Sequence, residues 1–426
     1  MSFPLVDCQG LVGAWTLGAV QAGFSLTHRA SLGGFGDHIV DANRHLLGNG
    51  WRQDPGNGSG EWEPVEAALV AGTPPCSGFS LLNRSKKENA RGPDSAINSC
   101  MRELVQYAGR CTGTDGRPGA EIVSFESVQG AGKQGRELML SFRDILDDAT
   151  GQRYSLSHVF TSGATVGAAQ MRHRYYFVAH RIPFGIDEPG RRRVATYRDA
   201  IGDLVGLEQT WDEQGVVYRS QDVWWLEEQR ILDEIQSLVG LEDHYIVRDH
   251  ISSDSGWKAG IYLRELIPFW DPGATLEQAM RGYRERHGRF PDRTETWWDH
   301  ESDSLRVWRG PSRIAPDRSG YVLTGGCAGD FVHYSEPRFL TVRELARLMG
   351  FPDSWGFSIV GTAQRVGMYI GKCCPVNTGR WIAEWFVRAL EGNPGGPLQQ
   401  IGEREFVHNS TLLYKPWLKE QQAGRS

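Results

Sequence analysis

Gly72-Thr73-Pro74-Pro75-Cys76-Ser77-Gly78-Phe79-Ser80 directly follows the apolar run Ala67-Ala68-Leu69-Val70-Ala71. A short apolar run closed by glycine and proline reads as a buried strand. Two prolines stiffen the approach to the thiol, and a small, flexible Ser-Gly follows it. A lone cysteine is more often a buried structural residue than a reactive one. A strand end rich in proline and followed by glycine is a poor place to bury a thiol. Cys76 therefore reads as an exposed nucleophile at a strand tip.

Around this segment, the first 180 residues alternate short apolar runs with helical stretches, as a doubly wound α/β sheet does. Residues 3–6 read as the first strand, followed by the turn Asp7-Cys8-Gln9-Gly10-Leu11-Val12-Gly13 and a helix through Ala22. Residues 122–125 and 175–179 read as further strands. Such a sheet binds ligands beyond the carboxyl ends of its strands, so the turns after these runs matter most. From about Ile186 to His333 the character changes to a separate, loop-rich module holding Arg191-Arg192-Arg193, Trp224-Trp225 and Trp297-Trp298, with one charged helix between Glu277 and His287. Beyond Pro337 regularity returns. Residues 341–349 read as an amphipathic helix capped by Thr341 with Glu344 three residues on. Another helix covers 378–390, and the tail from Asn393-Pro394-Gly395-Gly396 is turn-rich, then weakly patterned.

The 426 residues imply two or three packed units. Hydrophobic residues at 40% and charged residues at 23% exclude wholesale disorder. No apolar run approaches the roughly 20 residues that span a bilayer, and Met1-Ser2-Phe3-Pro4-Leu5 lacks a signal peptide's basic start. The expected location is the cytoplasm. Seven scattered cysteines form neither a disulfide framework nor a zinc motif, so no metal is expected. A net charge of −6 argues against a nonspecific polycation but leaves room for a basic cleft. Fifteen tryptophans suit a loop-rich surface that stacks on flat ligands.

The Cys76 loop resembles the Pro-Cys-x-Gly-Phe-Ser nucleophile loop of the DNA cytosine-5 methyltransferase family. Further segments match in the family's order. Phe125-Glu126-Ser127-Val128 resembles its Glu-Asn-Val motif, with Ser127 for Asn, and Gln170-Met171-Arg172-His173-Arg174 its Gln-x-Arg-x-Arg motif. Leu340-Thr341-Val342-Arg343-Glu344 through Gly350-Phe351-Pro352-Asp353 resembles its late helix and Phe-Pro turn, and Gly371-Lys372-Cys373-Cys374-Pro375-Val376 its final Gly-Asn-x-x-Pro motif. The resemblance implies a Rossmann-like class I methyltransferase domain built from residues 1–185 and 334–393. A target-recognition domain, 186–333, is inserted between them, and a tail covers 394–426. The closing helix is expected to return beside the first strand. A monomer acting on double-stranded DNA with S-adenosylmethionine is implied; the RNA-directed branch's Cys-Phe-Thr triplet is absent.

The same resemblance assigns the chemistry. Cys76 would attack carbon 6 of cytosine and make carbon 5 enamine-like. Glu126 would hydrogen-bond ring nitrogen 3 and the exocyclic amine. Arg174 would hold the base carbonyl, with Arg172 supporting the nucleophile loop. The base must leave the duplex to be reached. Arg84, Lys86 and Lys87, with Arg91, fit a mobile basic loop whose phosphate contacts position DNA without specifying sequence. Arginines of the inserted module could read guanine edges.

The donor side departs from the family. Its turn is Asp-x-Phe-x-Gly-x-Gly-Gly, and the corresponding residues here are Asp7, Gln9, Leu11, Gly13 and Ala14. Ser31 stands where the family has an acid for the ribose, Lys372 where it has asparagine, and Pro74 completes the expected donor contacts. Ordinary drift with S-adenosylmethionine still bound is the leading expectation. A lysine beside a sulfonium is a like-charge contact, which carboxy-S-adenosylmethionine would turn into an ion pair. The product would then be 5-carboxymethylcytosine. A noncatalytic DNA-binding relic is the remaining alternative.

Overall fold

The computed structural model describes residues 2–30, 36–54, 62–80, 91–187, 193–205, 209–211, 217–219, 266–291, 294–306, 312–320, 322–324, 330–336, 339–357, 363–399 and 405–413. Contacts divide the chain into two compact units, Met1–Val194 with Cys373–Ser426, and Ala195–Lys372. The stretch 334–372, which the sequence reading gives to the returning catalytic domain, thus falls in the second unit.

The first unit is built on one sheet. Its strands are β1 (Phe3–Cys8), β2 (Phe24–Ala30), β3 (Arg52–Asp54), β4 (Leu69–Gly72), β5 (Ile122–Ser127), β6 (Ser155–Ser162), β7 (His173–His180) and β8 (Glu405–Asn409), in spatial order 8-6-7-5-4-1-2-3. Only β7 runs against its neighbours. This is the Rossmann-like order with a reversed strand slotted between β5 and β6. The order reverses direction between β1 and β4, where a doubly wound sheet opens a crevice. A Cβ on Gly72 would lie 1.8 Å from the Cys8 carbonyl, so glycine is required where β4 closes on β1.

Both faces of the sheet are covered, which explains the unbroken apolar runs in β4 and β5. On one face α2 (Ser99–Arg110) and α3 (Arg136–Thr150) bury Leu104, Val105, Met139, Phe142 and Leu146 against Val70, Val123, Phe125 and Phe177. The Phe125 and Phe177 rings stack with centroids 4.6 Å apart. Separately, α1 (Ala14–Ala22) packs on α4 (Val376–Leu390). Gly18 meets the α4 backbone directly, since an added Cβ would lie 2.5 Å from the Arg380 nitrogen. Gly379 in turn lies against Trp15. The closing helix thus returns to the helix that follows β1.

β6 and β8 are the strands that hydrophobic patterning misses. Ser157, His158 and Thr161 are buried, but each has a partner: Gln399 at 2.5 Å, the Tyr175 hydroxyl at 2.9 Å and Ser410 at 3.1 Å. Paired polar groups can be buried where unpaired ones could not.

In the second unit, the charged helix is Leu276–His287, capped by Thr275 and Gln278. Its apolar side packs with Trp270, Phe290 and Trp298. The helix Val342–Leu348 starts at the expected capping box, Thr341 with Glu344. The expectation of a tryptophan-rich stacking surface is corrected for much of the described chain. Trp15, Trp270, Trp298 and Trp355 are fully buried, and Trp51 and Trp62 nearly so, because indole area is worth most in a core. Arg281 and Arg284 are likewise not free base readers. Both lie over the Trp298 ring and both bond Asp303. Trp224, Trp225, Arg191 and Arg192 lie outside the described residues.

Candidate active site

Three strand ends supply the catalytic candidates. The parallel strands β4 and β5 deliver Cys76 and Glu126 at their carboxyl ends, and the reversed β7 delivers Arg172 and Arg174 at its start. Reversal of β7 is what brings basic residues to the edge where β4 and β5 end.

After β4 the chain passes Pro74, buried, and Pro75, exposed, before Cys76 enters the short helical turn Ser77–Phe79. The Phe79 amide donates to the Cys76 carbonyl at 3.0 Å. Gly78 has no room for a Cβ against Ser95 and Asn98, and its carbonyl accepts from the Gly92 amide at 2.7 Å. This last bond joins the residues on either side of the segment that contains Arg84, Lys86 and Lys87. Those three residues lie outside the described residues, whereas Arg91 is exposed.

Cys76 is half-buried rather than freely exposed. Burial raises its thiol pKa most, and the Glu126 carboxylate raises it further; Arg174, Arg172 and the Val128 backbone oppose them. In these surroundings the thiol holds its proton and becomes a nucleophile only when that balance changes. Glu126, 3% exposed, forms an ion pair with the Arg174 guanidinium, itself 8% exposed. Burial pushes the Glu126 carboxyl above its ordinary value against the pull of Arg174 and Arg172. Burial, and Arg174 beside it, push the 2%-exposed Arg172 guanidinium down to about 9; Glu126, Cys373 and Cys374 oppose the shift. A carboxyl group between two cations is poised to hold or release a proton at a polar ring.

Other residues here escaped the sequence reading. Tyr176, directly opposite Glu126 in the β5–β7 pair, donates to Thr378 at the start of α4 at 2.8 Å. The Cys373 thiol, raised to about 12 chiefly by burial, hydrogen-bonds the Val12 backbone. The final motif thus meets the first turn, as expected. Buried and strongly raised, Cys373 and Cys374 are not competing nucleophiles.

On the donor side, the turn after β1 is tightly wound. Gln9 and Leu11 have φ of 62° and 49°, in the left-handed region that favours glycine. Gly13, with φ 83°, is the N-cap of α1, and Ala14 is its first residue. The Asp7 carboxylate accepts from Thr16 at 2.8 Å and faces Arg29 at 3.8 Å, so it is engaged within the protein. Gln9 Nε2 donates to the Cys100 carbonyl at 3.1 Å, while its buried Oε1 and the buried Ser127 hydroxyl have no hydrogen-bond partner among the described residues. Ser31 lies outside the described residues. Lys372 is exposed and ends the helix Ala363–Lys372 in the second unit. Among the described residues no cluster of three or more His, Cys, Asp or Glu could hold a metal, and no helix is long and apolar enough to cross a membrane.

The chain was compared with known proteins. A Type II methyltransferase of Bacillus paralicheniformis is 28% identical over 330 residues, covering 70% of this chain and 65% of that protein, just under two thirds of its length. A Type II methyltransferase of Xanthomonas oryzae is 23% identical over 347 residues, covering 78% and 71%. Among solved structures, a protein encoded within an Escherichia coli prophage superposes with a TM-score of 0.56 at 16% identity, covering 92% of this chain and 100% of that one. That likeness speaks for the fold alone. The description of the C-5 cytosine-specific DNA methylase family matches residues 61–388, most of the sequence, and the chain belongs to that family.

Proposed function

We propose that the protein transfers a one-carbon group to carbon 5 of a flipped cytosine in double-stranded DNA through a covalent Cys76 adduct. The observation that supports this most is the convergence of Cys76, Glu126, Arg172 and Arg174 from three strand ends into one buried, mutually charged cluster. A structural ion pair would not need a half-exposed thiol beside it.

Cys76 gives up its thiol proton to solvent and bonds carbon 6 through Sγ, and the electron pair displaced from the 5,6 double bond makes carbon 5 nucleophilic. Glu126 holds a proton at ring nitrogen 3 and accepts from the exocyclic amine, while Arg174 binds the base carbonyl. Arg172 stabilises the nucleophile loop. After transfer, a base takes the carbon 5 proton and the electron pair re-forms the double bond as the thiolate leaves. When bound, S-adenosylmethionine supplies the electrophilic carbon. The residues present fit such a donor. The turn Asp7–Gly13 lies at the β1–β4 crevice, and Gln9 Oε1 is an orphaned buried acceptor within it. Gln9, Gly13, Ala14, Ser31 and Pro74 would hold the donor, with Asp7 bracing the turn. Arg84, Lys86, Lys87 and Arg91 would contact phosphates, and residues 186–333 would carry target recognition.

The test is a duplex containing 5-fluorocytosine, whose fluorine cannot leave as a proton does. With donor present it should trap the protein irreversibly, and Cys76→Ser should abolish both the trap and transfer. Failure to trap, or transfer unchanged in Cys76→Ser, overturns the reading; DNA binding unaltered and turnover absent in both proteins identifies a binding relic.

Carboxy-S-adenosylmethionine is the second donor reading. It is supported by Lys372, which directly precedes Cys373, the residue whose thiol hydrogen-bonds the Val12 backbone. Offering both donors and weighing the modified nucleoside separates 5-methylcytosine from 5-carboxymethylcytosine. Methyl transfer that is equal or better, and indifferent to Lys372→Asn, removes this alternative.

A further inference from the structure

Leu11 stands in the donor turn with φ 49°, where a side chain strains the backbone and glycine would not. Something must hold it there, and three contacts converge on this residue or its neighbours. The Arg29 guanidinium, 1% exposed at the end of β2, donates through Nη2 to the Leu11 carbonyl at 3.0 Å. The same nitrogen bonds Asp37 at 2.8 Å, and Nε faces Asp7 at 3.8 Å. Behind the Leu11 carbonyl lies Gly36, where an added Cβ would come within 2.7 Å of that oxygen. Asp7 in turn lies against Gly10, where a Cβ would come within 2.1 Å of its carboxylate, and accepts from Thr16 on α1. A buried guanidinium between two carboxylates is therefore aimed at the carbonyl of a residue whose conformation is wrong for its side chain.

We infer that Arg29, gripped by Asp7 and Asp37, is a positioning residue that holds Leu11 in its left-handed conformation and so presets the turn for the donor. It acts through the turn rather than by touching the donor. The inference rests on the donor reading above, but its central claim concerns the turn itself. An ordinary buried arginine would stabilise the fold without regard to which residue occupies position 11, and that difference is measurable.

The experiment is a double-mutant cycle of Arg29→Met with Leu11→Gly, read by equilibrium binding of S-adenosylhomocysteine and by hydrogen exchange at the amides of residues 9–13 in donor-free protein. Arg29→Met alone should weaken binding about tenfold, the cost of losing a charge-assisted bond, and speed exchange in the turn. In the Leu11→Gly background the same substitution should change affinity by less than about threefold, because glycine adopts the conformation unaided. Equal losses in both backgrounds overturn the inference and leave Arg29 as a donor contact or a general brace. Should Arg29→Met not fold, Asp37→Asn loosens the clamp from its outer side and is compared in the same two backgrounds. If the parent protein binds no S-adenosylhomocysteine, the donor reading fails; the exchange comparison still decides the clamp.

Discussion

Glu126→Gln should make the nucleophile more reactive while abolishing the reaction it serves. The side chain is 4% exposed and paired with Arg174, with Arg172 charged alongside. Glutamine keeps the shape but removes the cluster's negative charge, leaving two buried guanidiniums facing each other. Breaking a buried pair from one side costs about 3–5 kcal/mol, to be read as a lower free energy of unfolding in urea. Transfer to cytosine should fall by about 10²–10⁴-fold with the loss of the acid. Cys76 responds in the opposite sense. After burial, Glu126 is the cause that raises its thiol, against Arg174 and Arg172. Neutralising it leaves the two cations unopposed, so the thiolate forms at lower pH. The assay is iodoacetamide labelling across pH, resolved by mass spectrometry of the Cys76 peptide, in folded protein without DNA. The midpoint should move down in Glu126→Gln. A midpoint that stays or moves up would falsify the electrostatic coupling of the two residues, and with it the account of how the thiol is held in reserve.

Gly18→Ala should destabilise by about 1–3 kcal/mol through overpacking, although alanine is the better helix former, because its methyl would strike the α4 backbone at 2.5 Å; a urea titration gives the sign. Asp115 is held by Arg181 at 2.6 and 2.8 Å, which lowers its carboxyl to about 2. Its side chain is 37% exposed, so solvent screening reduces the contribution to about 1 kcal/mol. A depressed carboxyl stabilises the fold above its unfolded value, 3.8, and loses that effect as pH falls toward 2. Asp115→Asn should therefore cost stability at pH 7 and progressively less between pH 4 and 2. Burial, aided by His180, lowers His408 to about 4. The unfolded chain then takes up the proton first as pH falls from 6.5, so His408→Gln should flatten the loss of stability between 6.5 and 4.

The sheet's central strands were legible because apolar side chains buried on both faces leave continuous runs, as in β4 and β5. The Cys76 loop and the Thr341 capping box were legible because proline, glycine and Thr-x-x-Glu act locally. β6 was not, since its buried serine, histidine and threonine are paired by polar groups from elsewhere in the chain, as distant as Gln399 and Ser410. β8 was not, because it is an edge strand of half-exposed residues in a turn-rich tail. For the site, motif order placed Cys76, Glu126, Arg172 and Arg174 together, but not the sign of the thiol's shift, which depends on three-dimensional burial. Arg29 gave no pattern at all. Leucine at a glycine position was the one clue that a clamp was needed.

The outermost strand of the sheet comes from the far end of the chain, and so does the helix that covers Trp15 and Gly18. Between Ser162, where β6 ends, and Asn409, where β8 ends, synthesis on the ribosome takes on the order of 10–50 s. For that interval the nascent chain carries an open strand edge and an uncovered indole, both adhesive. Translation slowed within residues 195–372 would prolong that exposure, so the length of the second unit sets how long the first unit's edge and indole stay open.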